Sequence, residues 1–321
     1  MKPPAEKLRA LQEPGRLWSH ASLSRYAACP YSFYGRYVLG ITDPPSPALV
    51  FGRLVHALAS RLVQTPADAR PPSLFSWLVA ARLADPDQAL VPGSDDARVI
   101  AWAEAAARAV TPTTPALAEA VWLQPLPAAP GPRPLFPDLQ PWESALTAQV
   151  PYARFRVEDA LRAAGVDAVE ARPDVVWRDG MHLVIRDWKT SRAPYGDPTR
   201  LIPRYRDQLA LYGAVARRRF PVLPLRFDLH VLSADAVVPV PLTPADLDAA
   251  TQQIFRTAQA IRAAARASAA GVAGAAGFPK EPGDACRFCV LARPTPETPA
   301  PLCPEGAVHR HAQGWDRWDA V

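Results

Sequence analysis

The sequence predicts an α/β fold, a mixed sheet flanked by helices, on three observations. Asp179-Gly180 stands between two β-rich runs, VEARPDVVWR and MHLVIRDWKT, and an Asp-Gly pair in that setting is the strongest short hairpin signal. A helical stretch from Arg204 to Arg219 separates that hairpin from a second strand pair over 225–241. Thr243 as N-cap, with Pro244 in the first turn, then opens a long helix to residue 270.

The elements follow in chain order. Residues 22–39 begin with Ser22 as N-cap and carry Tyr26, Tyr31, Phe33, Tyr34 and Tyr37, which predicts a packed helical hairpin. A second helix is expected from Phe51 to Val63. Residues 65–142 alternate Ala-rich helical pieces, at 97–109 and 115–122, with Pro-rich loops such as QPLPAAPGPRPLFPDLQP, and read as an insertion. Strand-like segments start after Glu143 with ALTAQVPYARFRV, and the tail beyond Gly271 is loop-like and bears cysteines. The expected division is an N-terminal helical segment at 1–64, an insertion at 65–142, a core at 143–270 and a Cys-bearing tail at 271–321.

With 321 residues and 49% apolar content, the chain can bury a substantial core. Lys+Arg is 36 against 31 for Asp+Glu. The pI of about 9.2 favours a polyanionic partner such as nucleic acid, although a mildly basic enzyme of any kind fits as well. Lysine stands only at positions 2, 7, 189 and 280, so the positive charge is almost all arginine. Such a bias has the look of GC-rich coding, which weakens what the arginines say and singles out Lys189.

The first twenty residues show no basic region followed by an apolar run, and no apolar stretch reaches membrane-spanning length. A cytoplasmic protein without membrane contact is expected, and there four cysteines are thiols or metal ligands rather than disulfides. The absence of G-x-x-x-x-G-K-[ST] excludes a recognisable phosphate-loop motor.

With Asp179 and Gly180 as the two loop residues, Asp174 faces Ile185, and Asp187 lies two positions further along. Side chains alternate faces with period two, so Asp174, Asp187 and Lys189 share one face unless Pro173 bulges the strand after Asp174. Two carboxylates and an ammonium on a half-buried face are costly without a partner, and a divalent cation supplies one. On spacing alone, an Asp and an Asp-x-Lys are common and fit a surface salt bridge better than a metal site.

Six short pieces occur in a fixed order: Cys29-Pro30, Gly52-Arg-Leu-Val-His56, Pro173-Asp174, Asp187-Trp188-Lys189-Thr190, Gln208-x-x-x-Tyr212 and Cys286-x-x-Cys289. As an ordered set the sequence resembles the RecB-type branch of the PD-(D/E)XK nucleases, which includes CRISPR-adaptation exonucleases and the nuclease modules of recombination helicases. The resemblance implies a restriction-endonuclease-like core. It also implies Mg²⁺ or Mn²⁺ held by His56, Asp174, Asp187 and the backbone carbonyl of Trp188, with Lys189 serving the attacking water. Gln208 and Tyr212, one helical turn apart, would contact DNA or support the metal face, and the arginines Arg200, Arg204, Arg206 and 217–219 would track phosphates. Glu143 matches an acidic residue that precedes the family's first core strand.

The resemblance further implies that Cys29, Cys286, Cys289 and Cys303 hold a 4Fe-4S cluster that staples the chain's ends. The gap from Cys289 to Cys303 is longer than the family's spacing, which leaves open zinc with His309 or His311 substituting. The implied activity is exonucleolytic cleavage of DNA from single-stranded ends in repair, recombination or CRISPR adaptation, alone or beside a helicase or other partner protein. The alternative is a non-catalytic nucleic-acid-binding subunit that keeps fold and cluster.

Overall fold

In a computed structural model, the described residues are 4–110, 116–118, 122–126, 161–163, 165–220, 223–269, 277–287, 289–293 and 300–313. The first strand-like segment, ALTAQVPYARFRV, and Glu143 lie outside them. The described helices are α1 (Pro4–Gln12), α2 (His20–Ala28), α3 (Pro30–Tyr34), α4 (Pro47–Gln64), α5 (Phe75–Ala84), α6 (Asp96–Arg108), α7 (Ile202–Arg219), α8 (Pro244–Ala269) and α9 (Pro304–Ala312). The strands are β1 (Leu17–Ser19), β2 (Leu117–Ala118), β3 (Trp122–Pro125), β4 (Ala168–Ala171), β5 (Val175–Asp179), β6 (His182–Lys189), β7 (Leu225–Val231) and β8 (Ala236–Pro239).

The chain divides into two compact units. The second, residues 45–122 and 171–251, holds a five-stranded mixed sheet in the order β2-β5-β6-β7-β8. β5 and β6 are antiparallel, whereas β6 and β7 are parallel and are joined through α7. A parallel pair needs such a crossover, because a tight turn can only reverse the chain. β6 is paired on both edges, and all its residues from Leu183 to Trp188 are buried, as expected of a central strand. α7 carries Gly213 where it crosses β7: a β-carbon there would lie 2.5 Å from Phe227 Cζ, so only glycine permits that approach.

α4 is capped by Ser46, whose hydroxyl accepts from the Leu49 amide at 3.2 Å, with Pro47 in its first turn. Its buried stripe of Val50, Leu54, Val55, Leu58 and Leu62 enters one core with Val175, Trp177, Val184 and Trp188 of the sheet and with Val99, Ala103 and Ala106 of α6. The expectation of a helix over 115–122 is corrected. Leu117–Ala118 pairs antiparallel with β5, and Trp122 begins β3. Packing against β5 has overridden the helical propensity of an Ala-rich run.

The β5–β6 register also differs from expectation. Val175 pairs with Arg186 and Asp179 with His182, so the two loop residues are Gly180 and Met181, not Asp179 and Gly180. Gly180 takes φ 56 as the first loop residue, a position that favours glycine in a two-residue hairpin. A two-residue slip preserves which face each side chain occupies. β5 begins at Val175, so Pro173 precedes the pairing and introduces no bulge after Asp174.

The first unit, residues 1–44, 123–170 and 252–321, contains β1 parallel to β4, with β3 on the other side of β4. Ser19, not Ser22, caps α2; Ser22 is the reciprocal partner of that capping box. α3 runs into a π-turn at Gly35–Leu39. The aromatic residues gather around Phe278, with ring centroids 5.3 Å from Tyr34, 6.1 Å from Phe33 and 6.3 Å from Tyr26. Buried Asp167 accepts from the amides of Gly15 and Arg16 and from Trp18 Nε1, each at 3.0 Å, and pairs with Arg262. The tail is not all loop: α9 forms beyond Cys303, and Arg310 donates to the Cys286 carbonyl at 2.9 Å. Among the described residues no helix is long and apolar enough to cross a membrane.

On the sheet face opposite Asp187, Arg186 and Asp228 form an ion pair at 2.9 Å, only 4% and 3% exposed, with the guanidinium over the Trp177 ring. Asp228→Ala strands that guanidinium and is expected to cost about 3–5 kcal/mol of stability, read from urea unfolding. An unchanged midpoint would contradict this assignment.

Candidate active site

The sequence of β6 delivers two groups to one side of the sheet, because Asp187 and Lys189 stand two apart on the same strand. Asp174 occupies the bend just before β5, which the observed register extends to a position directly opposite Asp187. α4 contributes His56, whose Nδ1 lies 3.1 Å from Asp174 Oδ1. The amide of Trp188 donates to Asp174 Oδ2 at 2.6 Å, so both oxygens of Asp174 are engaged.

Asp187 is 1% exposed and forms an ion pair with the Lys189 ammonium. Its Oδ1 accepts from Gln208 Nε2 at 3.3 Å, while Oδ2, among the described residues, has no hydrogen-bond partner beside that ion pair. Gln208 bridges the group: its Oε1 accepts from Lys189 Nζ at 3.3 Å, and its Nε2 donates to Tyr212 Oη at 2.7 Å. The four-residue spacing on α7 makes this possible by aligning Gln208 and Tyr212.

The electrostatics follow from crowding charge in a dry place. Burial raises the pKa of Asp187 to about 7; Lys189 opposes that rise and Asp174 adds to it. Burial also acts upward on Asp174, but His56, Lys189 and the Trp188 amide outweigh it and hold that carboxyl below its usual value. The charge is therefore shared unequally, with Asp174 the firmer anion. On His56 and Lys189 burial acts downward, yet the neighbouring aspartates raise both. Burial, then the two aspartates, push the Tyr212 phenol up.

Gly52 explains a further motif position. A β-carbon there would lie 3.0 Å from Thr190 Oγ1, so its lack of a side chain lets α4 run close beside the residue after Lys189. Arg53, next to it, is a structural anchor, bound to Asp85 at 2.7 Å and to Asp87 at 2.8 Å.

Tyr205 is the residue that motif reading passed over. The Lys189 ammonium lies 4.2 Å from its ring centroid, and its hydroxyl is 3.2 Å from Ser191 Oγ. The signal was present as helical periodicity, because positions 205, 208 and 212 share one face.

The arginines divide. Arg204 lies 5.4 Å from the Tyr205 ring centroid, next to the cluster. Arg206 is bound elsewhere, to Asp246 at 2.9 Å and the Pro241 carbonyl at 2.8 Å, and Arg217 pairs with Asp248.

In the first unit, Cys29, Cys286, Cys289 and Cys303 line one small cavity with Tyr31, Ser32 and Ala292. None of the four is in a disulfide, and burial pushes the Cys289 and Cys303 thiols up. Among the described residues no group of three or more His, Cys, Asp or Glu side chains is spaced to hold a metal ion. In the acidic cluster the ammonium of Lys189 supplies the positive charge.

Asp174, Asp187 and Lys189 all fall within residues 17–293, which a model of one nuclease family matches. The chain belongs to the PD-(D/E)XK nuclease superfamily. No curated protein matches it. The mixed sheet flanked by helices agrees with the superfamily fold, and membership points to nuclease activity on a nucleic-acid substrate, usually with a divalent metal.

The His56–Asp174 pair gives a pH test in protein stripped of divalent ions. His56 has a folded pKa above its ordinary 6.5. Its contribution is fully present below about pH 6.5 and is lost as pH rises through the folded value. The melting-temperature gap between wild type and His56→Gln should narrow from about pH 6 to about pH 9. A constant or widening gap would contradict the pairing.

Proposed function

We propose that this PD-(D/E)XK chain is an Mg²⁺- or Mn²⁺-dependent deoxyribonuclease of the RecB type, cutting exonucleolytically from single-stranded ends in repair, recombination or CRISPR adaptation. The carrying observation is the convergence of Asp174, Lys189 and His56 around buried Asp187, whose Oδ2 has no partner beside Lys189 among the described residues. The donor set suits a hard divalent cation: two carboxylates, the Trp188 carbonyl and the His56 imidazole. When bound, the metal supplies a Lewis acid that activates water and offsets charge on the phosphate.

The side chains supply the rest. Asp174, held by His56 and the Trp188 amide, is a preset anion whose geometry does not depend on substrate. Lys189 neutralises Asp187 in the free protein; released from that ion pair, its ammonium is available to orient the attacking water or to meet charge building on the phosphate. Gln208 contacts both Asp187 and Lys189, so it can hold one while the other changes partner. Arg204 would steady the DNA strand, and Tyr212, buried and bonded to Gln208, would support the metal face.

The proposal extends to a 4Fe-4S cluster on Cys29, Cys286, Cys289 and Cys303. It is supported by the four thiols lining one cavity although Cys29 is remote in sequence from the other three. Zinc is the alternative, with His309 or His311 in place of Cys303. Protein purified without oxygen should be brown, and Cys286→Ser should lose the colour. Colourless wild-type protein carrying zinc would decide for the alternative.

Cleavage is tested on single- and double-stranded DNA with Mg²⁺ or Mn²⁺ and with a chelator. Asp187→Ala and Lys189→Ala should each lower the rate at least about a hundredfold, and chelation should abolish it. DNA binding that persists with no cleavage in any metal would instead support a non-catalytic binding subunit. Because the sequence lacks a phosphate-loop motor, any unwinding would come from a partner protein.

A further inference from the structure

The loop between β6 and α7, residues 190–201, leaves the strand that carries Asp187 and Lys189 and enters the helix that carries Tyr205 and Gln208. At its tip Tyr195 is 92% exposed, the most exposed large aromatic or apolar side chain among the described residues. Its backbone sits at φ 53 and ψ 25, a left-handed conformation that bulky residues seldom adopt, and Gly196 follows at φ 73. Nothing in the ring's burial explains that conformation, since the ring is in solvent.

The loop is nonetheless built. Pro194 and Pro198 open two successive short turns, and Asp197 Oδ1 accepts from the Thr199 amide at 3.0 Å and its hydroxyl at 2.7 Å. The guanidinium carbon of Arg200 stands 4.8 Å from the Tyr195 ring centroid. One side of the ring is thus already supported by a cation, as in a stacking platform. Between residues 190 and 204 a single acid, Asp197, faces Arg192, Arg200 and Arg204, so the loop is basic as well as aromatic.

We infer that Tyr195, backed by Arg200, is a stacking step for an unpaired base of the DNA strand that enters the acidic cluster. An exposed aromatic plane with adjacent arginines matches single-stranded nucleic acid, because every unpaired base offers a flat face and every linkage a phosphate. A duplex keeps its base faces covered, so the contact selects single strands. Lys189 and Tyr195 are joined by at most about 20 Å of chain, within the reach of a few nucleotides. The inference rests on the nuclease reading and adds to it the residues that choose the strand form.

The test is fluorescence-anisotropy binding of labelled oligothymidylate, oligouridylate, an abasic oligomer of equal length and a blunt duplex, with cleavage followed in parallel. Tyr195→Ala should weaken oligothymidylate binding roughly five- to a hundredfold, and raise KM while leaving kcat nearly unchanged. Tyr195→Trp should retain binding, and the abasic oligomer and the duplex should not distinguish Tyr195→Ala from wild type. Unchanged oligothymidylate binding, or an equal loss on the abasic oligomer, would overturn the stacking role while wild-type cleavage still stood. Stronger wild-type binding to oligouridylate than to oligothymidylate would overturn the DNA assignment. Wild type that neither binds nor cuts any DNA would remove the nuclease reading itself, and this inference with it.

Discussion

Buried Asp187, with Asp174 opposite it in the bend before β5, needs positive charge beside it, and in this protein Lys189 provides it. The rest of the catalytic unit is arranged around that need. His56 reaches Asp174 from α4, Gln208 reaches both Asp187 and Lys189 from α7, and the Trp188 amide closes the remaining oxygen of Asp174. Replacing a polar partner in such a place exposes the desolvation cost of the charge left behind. The cluster is therefore both a constraint on folding and a store of charge that a cation or a phosphate can draw upon.

The same unit contains a second buried ion pair with a different character. Arg186 and Asp228 sit on the other face of the sheet, close their charges on one another and stack on Trp177. Neighbouring residues on one strand, 186 and 187, thus serve opposite faces. Asp187 pairs with a lysine that also contacts Gln208 and the Tyr205 ring, whereas Arg186 and Asp228 pair with one another beneath Trp177. That contrast separates a group available for chemistry from one committed to the fold.

The other unit solves a problem of connectivity. Residues 20–39 and 278–312 are far apart in sequence, and they meet through the aromatic group around Phe278, the Tyr31–Leu302 contact and the close approach of Gly35 to Leu291. The four cysteines are gathered at this joint. A π-turn at 35–39 lies immediately beyond α3, where the chain passes Leu291.

The sequence by itself determined the identity of the acidic strand pair and the face it would use. Period-two alternation puts Asp187 and Lys189 together in any strand, and a two-residue error in the hairpin loop does not change a face. It also determined the capped long helix after Thr243, since capping is a local hydrogen bond. Tertiary structure alone decided the rest. The run at 117–118 became a strand because β5 offered it a ladder. His56 joined Asp174 across 118 positions, Arg206 turned to Asp246, and Tyr205 came under Lys189. These outcomes depend on which surfaces are brought together in space, and local periodicity carries no record of a partner that lies far along the chain.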